Sequence, residues 1–539
     1  MKSDLLFRKI LAVLMMIVLP VALNAQYSNR MSDQKETTQK YATLMQLISY
    51  FYVEDVDESN LTEQAIIQVL KDLDPHSVYI PKDEVQRTNE PLQGNFDGIG
   101  VQFQIYHDTI VVVSPVVGGP SEKLGIQAGD KIVKINGEDA VGSKINNQYV
   151  FDRLRGPRGT KVNIGIYRKN RKDIIDYTIV RDKIPLNSID ATYMVTDEIG
   201  YVKLSRFART SKDEFVEAVA ELKKRGMKDL ILDLRNNTGG YLDIAFELAD
   251  QFLSANKLIV YTEGISSPRQ DFNSTSQGVF ETGKLVIIID EASASASEIV
   301  SGAVQDWDRG IIIGRRSFGK GLVQRPFMLP DSSMVRLTTA RYYTPSGRCI
   351  QKPYTPGSDE YYAEVYNRFK HGELVHSDSI KFPDSLRYFT HNKRLVYGGG
   401  GIMPDIFVPI DTSFFSLYYT DALRKGVLND FIMQYVDANR KELLRTYPDI
   451  SSFMKGFRKD QELLNDFVEF GSKNALPRDD KGLEISGKQI TSVLKGLLAR
   501  NLYNVSAYFE VIGKDDDDLK QAVQVIQNES LFRKLTLAN

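Results

Sequence analysis

Hydrophobic positions change period from segment to segment along the chain. Residues 10–23 form a continuous apolar run behind Lys2, Arg8 and Lys9. Residues 41–54 place Leu44, Ile48 and Phe51 at helical spacing. A second helix is predicted near Asn60, where Asn60 and Glu63 have capping-box spacing ahead of Ala65-Ile66-Ile67 and Leu70. From about Leu92 the pattern becomes short strands with glycine turns, at 101–105, 109–114, 131–136 and 161–167, with a helix near 145–154. From Ile184 to about Pro409 strands and helices alternate. The predicted strands are 199–204, 229–234, 284–290, 310–314 and 333–338, and helices are expected around 212–225, 241–253 and 295–305. Beyond Pro409 the chain turns helical, with amphipathic stretches near 420–445, 452–472 and 488–512. A last helix is predicted behind the acidic run Asp515–Asp518, which suits the positive end of a helix better than a metal site.

These shifts predict a leader over 1–25, a helical segment over 26–91, a small glycine-rich domain over 92–182, an α/β core over 183–409 and a helical extension over 410–539. A chain of 539 residues, 42% hydrophobic and 26% charged, can build several cores of ordinary size. Sixty-eight Lys plus Arg balance 70 Asp plus Glu, so no overall field favours nucleic acid or an anionic membrane. Cys349 is the single cysteine and the five histidines are scattered, so neither a disulfide, a metal site nor a cofactor is expected. The basic opening, the apolar run and Ala22-Leu23-Asn24-Ala25 read as a secretory signal with cleavage after Ala25. The protein is therefore expected to be exported, to the periplasm of a Gram-negative source or otherwise outside the cytoplasm. An uncleaved leader tethering it to the inner membrane is the alternative.

In the glycine-rich unit, Gly98-Ile99-Gly100-Val101 places two glycines before a strand. Such a loop can turn backbone N–H groups toward a carboxylate while the strand edge accepts an extended peptide. A plain turn would look the same. The blocks Pro120-Ser121, Leu124-Gly125-Ile126, Ala128-Gly129-Asp130 and Ile132–Gly137 follow in the order seen in PDZ domains, and Leu154-Arg155-Gly156-Pro157-Arg158-Gly159-Thr160 resembles the closing turn of PDZ units attached to bacterial proteases. That resemblance implies capture of a chain terminus through Gly98, Ile99, Gly100 and Val101. Arg155 is either part of this machinery or a surface residue.

In the core, the strand 284–290 runs into Glu291-Ala292-Ser293-Ala294-Ser295-Ala296-Ser297-Glu298 and then an apolar helix. A strand–turn–helix junction can expose a serine nucleophile beside free backbone amides. The plain alternative is a capping box, since Ser295 and Glu298 have its spacing. A serine hydroxyl needs a base. No histidine lies between residues 108 and 370, whereas Lys320 sits between Gly319 and Gly321. A lysine serves as base only when burial lowers its pKa enough to leave it neutral.

Ser293–Ile299, followed by Gly314, Ser317-Phe318-Gly319-Lys320-Gly321 and Val323-Gln324, resembles the signature of carboxyl-terminal processing proteases, also called tail-specific proteases. Asp74-Pro75-His76-Ser77, Asp233–Gly240, Tyr342–Arg348 and Gly399–Ile406 resemble further segments of that family in unbroken order. The resemblance implies a ClpP/crotonase-like, β-superhelical α/β core carrying an inserted PDZ domain. Ser295 would be the nucleophile and Lys320, 25 residues later, the base. Gln324, one helical turn beyond, would orient the amine. The oxyanion amides would come from Gly239 or Gly240 together with Ala296, and Asp306 would be structural. Thr238 stands where many members carry Pro or Gly, and Cys349 where Ser is common. The family commonly switches between resting and active arrangements, so the dyad is expected to be inducible. The expected partners are protein or peptide substrates held by their C-terminal ends, with no nucleic acid. A homodimer through the terminal helices and an adaptor or activating protein stay open. The rival readings are an inactive PDZ scaffold for exported tails and a hydrolase acting on a non-peptide ester. Residues 410–539 match no motif.

Overall fold

The computed structural model describes residues 35–169, 171–355 and 357–536. The predicted leader lies outside them. The described residues before Asp74 and those from Asp74 onward form separate compact units. The first holds a helix over 35–51 and the helix Glu58–Lys71. The cap of the second helix is Asp57, whose carboxylate accepts the N–H of Asn60, so Asn60 falls inside the first turn rather than at the cap expected for it.

The second unit is built on a six-stranded sheet in the order Ile189–Met194, Ile199–Leu204, Asp229–Asp233, Leu285–Ile289, Ile311–Gly314, Ile406–Phe407. The first pair is antiparallel and every later pair is parallel. Parallel strands are covered on both faces, which explains the uninterrupted apolar runs such as Leu285–Ile289. The pleat sends Leu230, Leu232, Leu285, Ile287 and Ile312 to one face, where they meet the helices Ser211–Lys224, Leu242–Asp250 and Ala296–Asp306 through Phe215, Leu222, Leu248 and Val300. Ile231, Val286, Ile288, Ile311 and Ile313 face the other way. Leu519, Ala522, Val525, Ile526 and Phe532, from the helices Asp517–Gln527 and Glu529–Thr536, cover them.

Beside this core lies a five-stranded sheet in which Met334–Tyr343 pairs with Val78–Ile80, Leu258–Gly264 and Leu322–Met328. The segment around Asp74-Pro75-His76-Ser77 is thereby part of the protease unit. The glycine-rich domain is a separate sheet in the order Val101–Tyr106, Thr109–Pro115, Lys131–Ile135, Lys161–Tyr167, Ile175–Val180. A short ladder between Asn95–Gly98 and Asp182–Pro185 brackets both of its ends.

The extension has its own core, with Phe431, Phe453, Phe467 and Leu494 at its centre. Each predicted amphipathic stretch is broken in two. The first becomes Leu417–Arg424 and Val427–Thr446, parted at Gly426, whose φ of 71° ends one helix and starts the next. The others become Ile450–Gly456 with Asp460–Lys473, and Asp480–Leu502 with Val505–Ile512. Asp516 caps the helix Asp517–Gln527 by accepting the N–H of Leu519. Among the described residues no helix is long and apolar enough to cross a membrane, and no cluster of His, Cys, Asp or Glu could hold a metal ion.

Candidate active site

Three loops leave the same edge of the parallel sheet. Residues 234–241 follow the strand Asp229–Asp233, residues 290–295 follow Leu285–Ile289, and residues 315–321 follow Ile311–Gly314. Ligands and chemistry gather at this edge in open α/β sheets because consecutive loops converge there.

Ser295 ends the middle loop with φ 56° and ψ −111°, a conformation that costs a non-glycine residue about 1–3 kcal/mol and persists only where the surroundings enforce it. The three serines of this turn have different fates. Ser293 and Ser297 are buried, and their hydroxyls lie 2.9 Å from Leu234 O and 2.8 Å from Asn237 O. Ser295 stands half-buried between them. It opens the helix Ala296–Asp306 and closes a capping box with Glu298, as the spacing of the two residues predicts.

The enforcing group is Glu298. Its carboxylate is fully buried and accepts four donors. Oε2 takes the backbone N–H of Ser295 at 2.8 Å and of Lys320 at 2.9 Å, while Oε1 takes the Ser317 hydroxyl at 2.5 Å and the Gly319 N–H at 2.7 Å. Burial raises its carboxyl above the ordinary value, against the pull of these donors. Tyr342, also buried, places its hydroxyl 2.6 Å from Lys320 O and 3.1 Å from Ser295 O. The backbones of the serine and the lysine are thus joined twice.

The Lys320 amine donates to Gln324 Oε1 at 3.1 Å, and Gln324 Nε2 donates to the carbonyl of His76. Burial first, then the charge of Arg336, push the amine below its ordinary value, against the carboxylates of Glu298 and Asp74. Gln324 is not one helical turn beyond the lysine. It lies on the strand Leu322–Met328, and a register shift between Val323 and Gln324 accompanies its approach to the amine. His76 Nε2 lies 2.9 Å from the Tyr361 hydroxyl, and burial followed by Lys320 pushes the imidazole pKa down to about 3. His76 is therefore neutral near pH 7 and acts here through its carbonyl. Asp74 accepts the N–H groups of His76 and Ser77 and the hydroxyl of Thr338, which fixes this segment against Met334–Tyr343. Among the described residues no hydrogen bond joins the Ser295 hydroxyl to the Lys320 amine.

In the first loop, Asn236 N–H donates to Asp290, which also holds the N–H groups of Ala292 and Ser293. Gly239 has φ 103°, and a Cβ there would lie 2.8 Å from Ser295 Cβ, so only glycine lets this loop approach Ser295 so closely. The Gly239 N–H is already held by Asn237 Oδ1 at 2.9 Å, whereas those of Gly240 and Ala296 meet no acceptor among the described residues. Asp306 binds Arg348 at 2.7 Å and the N–H of Ser346 at 2.9 Å, away from these loops.

In the small domain, Val101–Tyr106 is the edge strand of its sheet. The carbonyl of Ile99 accepts Ser121 Oγ at 2.6 Å and that of Gly100 accepts Val116 N–H at 2.9 Å. The amides of Ile99 and Gly100 meet no acceptor among the described residues, and Gly98 is tied into the bracketing ladder. Arg155 does not lie free on the surface. It pairs with Glu90 at 2.5 Å and stacks against Phe96 and Phe151, each 4.4 Å away.

A strained serine at a strand–helix junction, a half-buried lysine tied to it through one carboxylate and a peptide-ready strand edge are the parts of a serine protease with a PDZ domain. Comparison with known proteins agrees. Peptidase family S41 matches residues 198–358, a PDZ domain 111–168, the activating protease CtpB N-terminal domain 20–84, and a family of unknown function, DUF8443, 418–504. The chain is 33% identical over 354 residues to the carboxy-terminal-processing protease of Bartonella bacilliformis, covering 64% of this chain and 81% of that one. It is 32% identical to the carboxy-terminal processing protease CtpB of Bacillus subtilis, covering 60% of this chain and 67% of the relative. A solved photosystem II D1 C-terminal processing protease is 29% identical, with TM-score 0.33, over 56% of this chain and 81% of that structure. The chain belongs to the carboxy-terminal processing proteases of peptidase family S41.

The residue that sequence reasoning undervalued is Glu298, whose signal was the capping-box spacing itself. Glu298→Gln keeps the shape but brings in an NH2 group. That group is best placed at the Oε1 position, where the Ser317 hydroxyl can reverse and accept, and Gly319 N–H then loses its acceptor. Stability should fall by about 1–3 kcal/mol, read by urea unfolding. Displacement of the Lys320 loop should lower kcat on a peptide substrate by about 10²-fold. Activity and stability both at the wild-type level would remove Glu298 from this role.

Proposed function

We propose that the protein is an exported endopeptidase that captures the C-terminal end of a protein substrate on its PDZ domain and cleaves by a Ser295–Lys320 dyad through an acyl-enzyme. The observation that carries this reading is the Glu298 carboxylate, which binds the backbones of both residues while burial and Arg336 favour a neutral Lys320 amine. On substrate arrival Lys320 turns from Gln324 to the Ser295 hydroxyl and takes its proton as Oγ attacks the peptide carbonyl. The oxyanion is received by the amides of Ala296 and of Gly240 or Gly239, the last after release from Asn237. Lys320 then protonates the leaving amine. A water molecule deprotonated by Lys320 attacks the acyl-enzyme, and the proton returns to Ser295 as the product acid leaves.

Ser295→Ala and Lys320→Ala should each abolish peptide cleavage, and activity surviving in either sinks the dyad. In the wild type, kcat/KM should rise with pH as Lys320 loses its proton, with a limb below the ordinary lysine value of 10.5. Removing the nearby positive charge in Arg336→Gln raises the lysine pKa, so the limb should move to higher pH. An unmoved limb, or one moved to lower pH, assigns the base elsewhere. His76, with a pKa of about 3, cannot supply a limb near neutrality.

Capture of a free chain end is supported by the unmatched amides of Ile99 and Gly100 beside the edge strand from Val101. Amidating the C-terminal carboxylate of a binding peptide removes the charge these amides would receive. Affinity measured by calorimetry should then fall about tenfold or more. Equal binding of the acid and the amide would refute carboxylate capture.

Export rests on the apolar run behind Lys2, Arg8 and Lys9 and on the small residues before Gln26. Amino-terminal sequencing of the protein from its native host should begin at Gln26. An intact leader in the cytoplasmic fraction would overturn export.

A further inference from the structure

The helical extension meets the catalytic loops at one place. Arg235 is the second residue after the strand Asp229–Asp233 and lies four positions before Gly239. Its guanidinium is divided among three carboxylates. Asp233 accepts from Nε at 3.1 Å and from Nη2 at 2.6 Å. Asp516 accepts from Nη1 at 3.0 Å and from Nη2 at 2.6 Å, and Asp518 from Nη1 at 2.9 Å. Asp516 and Asp518 belong to the extension. Asp518 also reaches Arg315 Nη1 at 3.4 Å, and Arg315 Nε binds Glu291 at 2.9 Å. Arg315 is the first residue of the lysine loop, and Glu291 lies four positions before Ser295.

One pair of aspartates therefore reaches all three loops of the site: the oxyanion loop through Arg235, the lysine loop through Arg315, and the serine turn through Arg315 and Glu291. The contact is largely dry, since Asp518 and Arg315 are buried and the Arg235 side chain is 16% exposed. In such surroundings a planar guanidinium with every N–H engaged has a single orientation, and removing an acid leaves an arginine charge without its partner. The following helix, Asp517–Gln527, is fixed to the underside of the same strands by Leu519, Ala522, Val525 and Ile526, so the aspartates are held on a rigid element.

We propose that Asp516 and Asp518 are positioning residues of the protease: through Arg235 and Arg315 the extension sets the spacing of the oxyanion, serine and lysine loops, and catalysis needs it even though it contributes no reacting group. The proposal rests on the reading of Ser295 as nucleophile.

The test uses the full chain with Asp516→Asn/Asp518→Asn, Arg235→Gln and the combination of all three. It follows the labelling rate of a serine-directed fluorophosphonate, kcat and KM on one peptide, the melting temperature, and binding of a C-terminal peptide. Labelling and kcat should fall about tenfold or more in the double aspartate variant, since misplacement of a loop acts on the reacting geometry. KM and peptide binding should stay within about twofold, because uniform binding is not altered. Arg235→Gln should add little further loss to that variant, the non-additivity of groups acting as one unit. Wild-type labelling, a change confined to KM, or additive losses would overturn the proposal. If the double variant does not fold, Asp516→Asn alone is judged by the same readouts, with about threefold the smallest loss that supports the proposal. Ser295→Ala separates the two readings. Labelling that survives this substitution refutes the nucleophile assignment, whereas labelling lost there but unchanged in the aspartate variants refutes only the positioning role.

Discussion

The proposed pairing of Ser295 with Lys320 must bring a hydroxyl and an amine to one point from two loops of the chain, and the Glu298 carboxylate is the group that binds the backbones of both. It sits one helical turn from Ser295 and accepts the backbone amides of both Ser295 and Lys320 on a single oxygen. Burying a carboxylate is costly unless its lone pairs are matched, and here four donors match them. The strained φ of Ser295 is held by the same bond. Loss of the carboxylate would loosen the serine turn and the lysine loop, which the Tyr342 hydroxyl and the bond from Phe318 N–H to Ser293 O would still join.

The neighbouring loops repeat this device. Asp290 joins the serine turn to the oxyanion loop through Asn236, and Asp233, Asp516 and Asp518 share Arg235 at the start of that loop. Buried acids at the ends of parallel strands thus carry the geometry that hydrophobic packing below them cannot specify. Apolar contacts fix the strands, but they are indifferent to a few tenths of an ångström at a loop tip. Hydrogen bonds with directional acceptors are not.

This division of labour explains what could be read from the chain. The central strands were legible within a residue or two, because Leu285–Ile289 and Ile311–Gly314 are too apolar and too short for anything but buried strands. Ser295, Lys320 and Gln324 stood out through spacing and family resemblance, yet Gln324 was placed on a helical turn and lies on a bulged strand. Nothing local distinguishes the two, since four residues can span either geometry. Glu298 was visible only as a cap. The acidic run likewise reads only as a helix start, which Asp516 is. Its partners Arg235 and Arg315 lie 281 and 203 residues away in the chain from the acids they meet, and no periodicity spans such a gap.

In the proposed reaction lysine serves where histidine is usual. The imidazole of His76, whose carbonyl accepts from Gln324, is pushed to about 3 by its burial and by Lys320. Its side chain is committed to Tyr361, and only its carbonyl reaches the catalytic machinery, through Gln324. Burial first, and then the positive charge of Lys320, lower the basicity of this imidazole, so it is a poor base. The lysine itself is depressed from a much higher starting value, and Glu298 and Asp74 keep it from falling further. Burial and the nearby carboxylates therefore pull the Lys320 amine in opposite directions, and the net shift is downward, toward the neutral form that the proposed reaction needs.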